Sequence, residues 1–164
     1  MTARFSSALG ALAHPFGHHA TDSRRAPLRV LVVDDEEPVR RFVERVLTQA
    51  GCMVTTAADG DDAIAGAATR DAIDLLVTDL MMPHMNGDEL ARRLRGQTPD
   101  LAVLYLTGFS DRLFAGRLPL WEREAFLDKP CSIRALLEAV SLLVYGRTDG
   151  LQRTDAPEAA SEVA

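Results

Sequence analysis

Leu75 to Gly87 reads "LLVTDLMMPHMNG". Its first five residues, Leu75 to Asp79, have the apolar pattern of a buried strand, and that strand ends on an aspartate. Pro83, Asn86 and Gly87 follow, residue types that shape turns. A carboxylate at the rim of an apolar core is costly unless something pairs it.

Similar strands lie on either side. Leu28 to Val33, "LRVLVV", is a continuous β-branched run of the kind covered on both faces. It leads into Asp34, Asp35, Glu36 and Glu37, with Pro38 at a helix start. Val39, Phe42, Val43, Val46, Leu47 and Ala50 then keep helical spacing, and Gly51 is the expected C-terminal cap. Met53 to Ala57 reads as a second strand, followed by a helix from about Asp61 to Thr69. After the third strand a helix is expected over Gly87 to Arg95, then a fourth strand over Leu101 to Leu106 that stops at Thr107 and Gly108. A short fourth helix covers about Asp111 to Arg117, and Trp121 reads as a loop-packing residue. "EAFLD" is the fifth strand, and Ser132 caps a last helix whose Ile133, Leu136, Leu137 and Val140 share one face. Strands alternating with helices imply an α/β fold, a parallel sheet wrapped on both faces.

Composition bounds the rest. The 164 residues are 47% hydrophobic and 26% charged, which leaves room for one domain with a full core. A net charge of −6 without a Lys/Arg-rich run argues against a nucleic-acid surface. No apolar stretch approaches the roughly 20 residues of a membrane helix. Cys52 and Cys131 have no metal or disulfide spacing and read as reduced thiols of a cytoplasmic protein. Residues 1–27 faintly resemble a secretory signal, but Ser6, Ser7 and Gly10 break the apolar part, so a disordered N-terminal extension is expected. His14, His18 and His19 lie in it, with Pro15 and Gly17 breaking any helix that would align them for a metal. Residues 28–145 form the expected domain, and the polar residues 146–164 read as a disordered tail.

Ligands of open parallel sheets bind beyond the carboxyl ends of the strands. Here those ends deliver Asp34 and Asp35, Asp79, Thr107 and Lys129. Carboxylates brought together need a cation, and a hard divalent ion such as Mg²⁺ answers that need. The ion and Lys129 would neutralise a phosphoryl group, and Thr107 would donate to one of its oxygens. Asp79 is then placed to be phosphorylated.

"VLVVDDEEPVRR", "LLVTDLMMPHMNG", "VLYLTG" and "FLDKP" follow one another at separations that resemble the receiver domain of bacterial two-component response regulators, of the stand-alone chemotaxis-regulator type. The resemblance covers Leu28 to about Tyr145 and implies a flavodoxin-like (βα)5 fold with strand order 2-1-3-4-5. It implies Asp79 as phosphoacceptor, and Asp34, Asp35, Asp79 and the backbone carbonyl of Met81 as the Mg²⁺ site. It further implies Thr107 as switch hydroxyl, Lys129 as phosphate contact, Pro83 and Gly87 as loop-shaping residues, and a cis peptide before Pro130. The implied function is phosphoryl acceptance from a sensor histidine kinase or histidine phosphotransfer protein, with signalling to a downstream protein or along a phosphorelay. Such a protein promotes only its own phosphorylation and dephosphorylation and is not otherwise an enzyme. The face of the fourth helix, fifth strand and fifth helix is expected to change, and a homodimer through it is implied.

Two departures stand out. The switch aromatic is Phe126, often Tyr in the family, so a switch here reports through packing alone. Cys131 follows Lys129-Pro130 where relatives often carry Phe, leaving a smaller, reactive group beside the site. "VLYLTGFSD" is more similar to receivers fused to hybrid sensor kinases than to those fused to DNA-binding domains. The blander roles are Asp34 as a helix N-cap, Asp79 as a loop cap, Thr107 and Gly87 as turn residues, and Lys129 as a solvated lysine. Three other functions compete. A haloacid-dehalogenase-like phosphatase would need an Asp where Met81 stands, and nucleotide binding would need a Gly-rich loop after the first strand. A degenerate receiver acting as a phosphorylation-independent binding module is the principal alternative.

Overall fold

A computed structural model describes residues 26–68, 72–108, 122–147 and 151. The expected fourth helix, Trp121, the three N-terminal histidines and most of the expected tail lie outside the described residues.

Five parallel strands, β1 (Arg29–Val33), β2 (Met53–Ala57), β3 (Leu75–Asp79), β4 (Ala102–Thr107) and β5 (Glu124–Asp128), form one sheet in the order β2-β1-β3-β4-β5. This is the expected order. The two-residue period of a strand divides the core between the sheet faces. Val30, Val32, Leu75, Val77, Leu104 and Leu106 point to one apolar layer, while Leu31, Val33, Leu76, Val103 and Tyr105 point to the other. β3 and β4 are therefore buried along their whole length, which is why both read as unbroken apolar runs. Each fully buried Leu or Val contributes about 1.5–3 kcal/mol.

Helix α1 (Glu37–Gln49) has proline in its first turn and buries Val43, Val46 and Leu47. It ends at Ala50, and Gly51 follows with φ of 86°, a conformation that favours glycine. α2 (Gly60–Ala67) starts one residue earlier than expected because Asp59 caps it, its Oδ1 accepting from the Asp62 N–H at 2.8 Å. α3 (Gly87–Arg95) turns Leu90, Ala91 and Leu94 inward. The C-terminal helix (Ile133–Tyr145) is capped by Ser132, whose Oγ accepts from Ala135 N–H at 3.1 Å, and it ends at left-handed Gly146. α1 and the C-terminal helix cover the first layer, α2 and α3 the second.

Among the described residues, no helix is long and apolar enough to cross a membrane. Leu151, beyond the expected domain limit at Tyr145, belongs to the first apolar layer, and its N–H donates to the Oγ of buried Ser141 at 2.7 Å.

Candidate functional site

Because all strands run the same way, their carboxyl ends share one edge. Asp34 follows β1, Asp79 ends β3, Thr107 ends β4 and Lys129 follows β5. The fold thus gathers residues that lie up to 95 positions apart in the chain.

Asp34, Asp35 and Asp79 each bring a carboxylate oxygen within 4.8 Å of the others. Asp34 and Asp79 are buried, and Asp35 is exposed. This all-oxygen set fits a hard divalent cation. The Lys129 ammonium stands against it, 3.3 Å from Asp34 Oδ2 and 3.4 Å from Asp79 Oδ1. The strand-ending charge at Asp79 therefore has its partner in Lys129. Burial raises the pKa of Asp34, against the lowering effects of the Glu36 N–H and of Lys129. For Lys129 burial acts downward, but the charges of Asp34 and Asp79, with hydrogen bonds to Glu36 and Asp34, outweigh it and hold the pKa above the usual lysine value.

Asp34 does not cap a helix. The residue before α1 is Glu36, with no side-chain cap bond, and Asp34 Oδ1 instead accepts from the Glu36 N–H at 2.8 Å, closing a turn between β1 and α1. Arg40 Nη1 donates to the Asp34 carbonyl at 2.6 Å and fixes the same turn from the helix side.

Thr107 is buried at the edge, and its hydroxyl donates to Asp128 Oδ1 at 3.0 Å. Phe126 is partly buried with its ring on Tyr105, and the Lys129-Pro130 peptide is cis. Met81, two residues past β3, has an exposed side chain, and Pro83 is exposed in the loop that follows.

Gly87 is more than the turn residue its position in the sequence suggested. It is the first residue of α3, its N–H donates to the Leu80 carbonyl at 2.9 Å, and a Cβ there would lie 2.2 Å from the Asp79 carbonyl oxygen. The missing side chain lets the start of α3 press onto the backbone of Asp79. Cys131 is half-buried, and burial pushes its thiol pKa up against the lowering effect of Lys129.

Two participants were not singled out in the sequence. Glu36 places Oε1 3.2 Å from the Lys129 ammonium; as one of a run of acids before a helix, it reads as a helix-start charge. Asp128, the hydroxyl's acceptor, is a strand-end acid whose partner is visible only once β4 and β5 are paired, Thr107 opposite Asp128.

The family model described as "Response regulator receiver domain" matches residues 30–141. The sensor kinase CckA of Brucella abortus (strain 2308) is 36% identical over 112 residues, 68% of this chain and 12% of that protein. The response regulator receiver protein CpdR of the same strain is 32% identical over 116 residues, 71% of this chain and 96% of that protein. Among solved structures, the chemotaxis protein CheY4 of Vibrio cholerae aligns with a TM-score of 0.61 at 30% identity, over 72% of this chain and 99% of that one. The chain spans less than two thirds of the first relatives it matches, 12% in the case of the sensor kinase. The matched segment runs from the second residue of β1 to the middle of the C-terminal helix, so it takes in all five strands and every acid of the cluster. With that match, the chain belongs to the response regulator receiver domain family.

Proposed function

We propose that residues 28–145 act as a phosphoacceptor receiver whose nucleophile is Asp79. The observation that carries this reading is the meeting of the Lys129 ammonium with the three clustered acids at one sheet edge. An Asp79 carboxylate oxygen attacks the phosphorus of the donor, a new O–P bond forms, and the bond from phosphorus to the donor breaks with its electron pair leaving on the donor. Asp34, Asp35, Asp79 and the Met81 carbonyl would hold Mg²⁺, which supplies charge neutralisation to the phosphoryl oxygens when bound. Lys129 neutralises a further share. The Thr107 hydroxyl exchanges Asp128 for a phosphoryl oxygen, and Phe126 follows by packing.

The added phosphoryl carries about −1.5 to −2 charges, enough to reset a two-state surface. The donor is a sensor histidine kinase or a histidine phosphotransfer protein, in keeping with the likeness to a sensor kinase. The phospho-form binds a downstream protein or passes its phosphoryl on, and a homodimer through the face of the expected fourth helix, β5 and the C-terminal helix belongs to the same reading. The protein works in the cytoplasm and catalyses nothing beyond its own phosphorylation and dephosphorylation. A phosphorylation-independent binding module is less favoured, since the acids, the hydroxyl and the lysine are all in place.

The test is intact mass after incubation with acetyl phosphate, with and without Mg²⁺, beside Asp79→Asn. One added phosphoryl group that requires Mg²⁺ and is absent from the variant is the expected result. No gain in folded protein, or equal gain in the variant, would overturn the assignment.

A further inference from the structure

Lys129 has one more acidic partner than a phosphate contact requires. Its ammonium is 3.3 Å from Asp34 Oδ2, 3.4 Å from Asp79 Oδ1 and 3.2 Å from Glu36 Oε1. The first two acids are buried members of the carboxylate cluster, whereas Glu36 is exposed and stands outside it. The Glu36 backbone is nonetheless pinned: its N–H donates to Asp34 Oδ1 at 2.8 Å, and its carbonyl accepts from the Arg40 N–H at 3.0 Å. The carboxylate therefore faces solvent from a fixed anchor, within reach of the lysine.

A cation brought to Asp34, Asp35 and Asp79 takes up the charge of two of the lysine's three partners and repels the ammonium. Glu36 is the acid that then remains to it. Resting on the assignment of Asp79 as acceptor, we propose that Glu36 is a positioning residue that retains Lys129 at the mouth of the site in competition with the incoming phosphoryl group, and so limits the rate at which Asp79 is phosphorylated. The Glu36 side of this contact is solvated, so the hold is weak, and its removal changes the rate by about two- to fivefold.

The experiment uses the full chain and reads the initial rate of labelling by acetyl phosphate, by intact mass, at saturating Mg²⁺ and low ionic strength. Glu36→Gln is expected to label about two- to fivefold faster than wild type, with the gain shrinking as salt screens the contact. Were the gain only the general effect of removing a negative charge near an anionic donor, it would appear whether or not the lysine is there. The same substitution is therefore repeated in Lys129→Ala, with labelling followed for hours, and there it is expected to change nothing. Equal or slower labelling by Glu36→Gln in the wild-type background overturns the proposal. So does a gain of the same size in the Lys129→Ala background, which would place the effect on the metal or the donor. Labelling that survives Asp79→Asn in the same assay would instead remove the acceptor assignment, so the two failures are distinct.

Discussion

Tyr105 and Phe126 stand opposite each other in the β4–β5 ladder, with ring centroids 5.3 Å apart and planes tilted by 34°. The Tyr105 hydroxyl donates to Glu124 Oε1 at 3.1 Å, and Glu124 is paired in turn with Arg95 at the end of α3. Burial, reinforced by the Glu124 charge, pushes the Tyr105 pKa upward, so the hydroxyl stays a donor. Phe126 carries no hydroxyl of its own, but it packs on a residue whose hydroxyl is anchored to β5 and, through it, to α3. A shift of the Phe126 ring is thus transmitted to a hydrogen-bonded neighbour as well as to apolar contacts.

Removing that hydroxyl should be mild and removing the guanidinium severe. Tyr105→Phe is expected to lose about 1–2 kcal/mol, because Arg95 still neutralises Glu124. Arg95→Met removes the guanidinium paired with a carboxylate of 4% side-chain exposure and should cost more, about 2–5 kcal/mol. Urea denaturation of the two variants checks the order, and equal losses would contradict it.

Gly87→Ala should be destabilising although alanine is the better helix former. The added methyl would meet the Asp79 carbonyl oxygen at 2.2 Å, a backbone atom that cannot rotate aside. The expected loss is about 1–3 kcal/mol or more, together with slower labelling by acetyl phosphate, since the strain falls on the Asp79 backbone. A gain in stability, as helix propensity alone predicts, would show that α3 can slide away.

Lys129 and a bound cation share the same acids. Lys129→Ala strips buried Asp34 and Asp79 of their ammonium and should cost up to about 3–5 kcal/mol in metal-free buffer. Mg²⁺ should then raise the melting temperature of the variant more than that of wild type, because it fills a larger deficit of positive charge. Equal rises would mean that lysine and cation do not compete for these carboxylates. The variant should also fail to couple phosphorylation to the change of surface.

Stability in alkali should track Cys52. Its thiol is buried and its pKa is pushed up to about 11. A raised acid favours the folded state only while neutral, so the contribution is complete below the ordinary value of 9.0 and is lost as pH climbs toward the folded one. Between those two values the loss amounts to about 3 kcal/mol. Urea midpoints at pH 7.5 and 10.5 should fall further for wild type than for Cys52→Ala, and parallel falls would count against burial as the cause.

How far the sequence could be read depended on the range of each interaction. β3 and β4 were legible because central parallel strands are apolar on both faces. The site was legible because strand ends are fixed by topology, which brings Asp34, Asp79 and Lys129 together without any knowledge of side-chain geometry. Glu36, Gly87 and the Arg95–Glu124–Tyr105 chain were not, since each owes its role to a neighbour that only packing supplies. An acid before a helix, a glycine in a turn and an arginine in a last turn all have ordinary local explanations, and nothing in their immediate sequence overrides them.

The bond from the Leu151 N–H to the Ser141 hydroxyl works as a clasp, holding Leu151 against the C-terminal helix and seating its apolar side chain in the same layer as Leu28 and Val140. A shortened protein cut at Tyr145, where the regular helix stops, would open that clasp and leave a gap in the apolar layer it fills. Such a fragment would be expected to keep its chemistry and lose its shelf life, so a protein meant for long measurements is better cut beyond Leu151 than at the last helical residue.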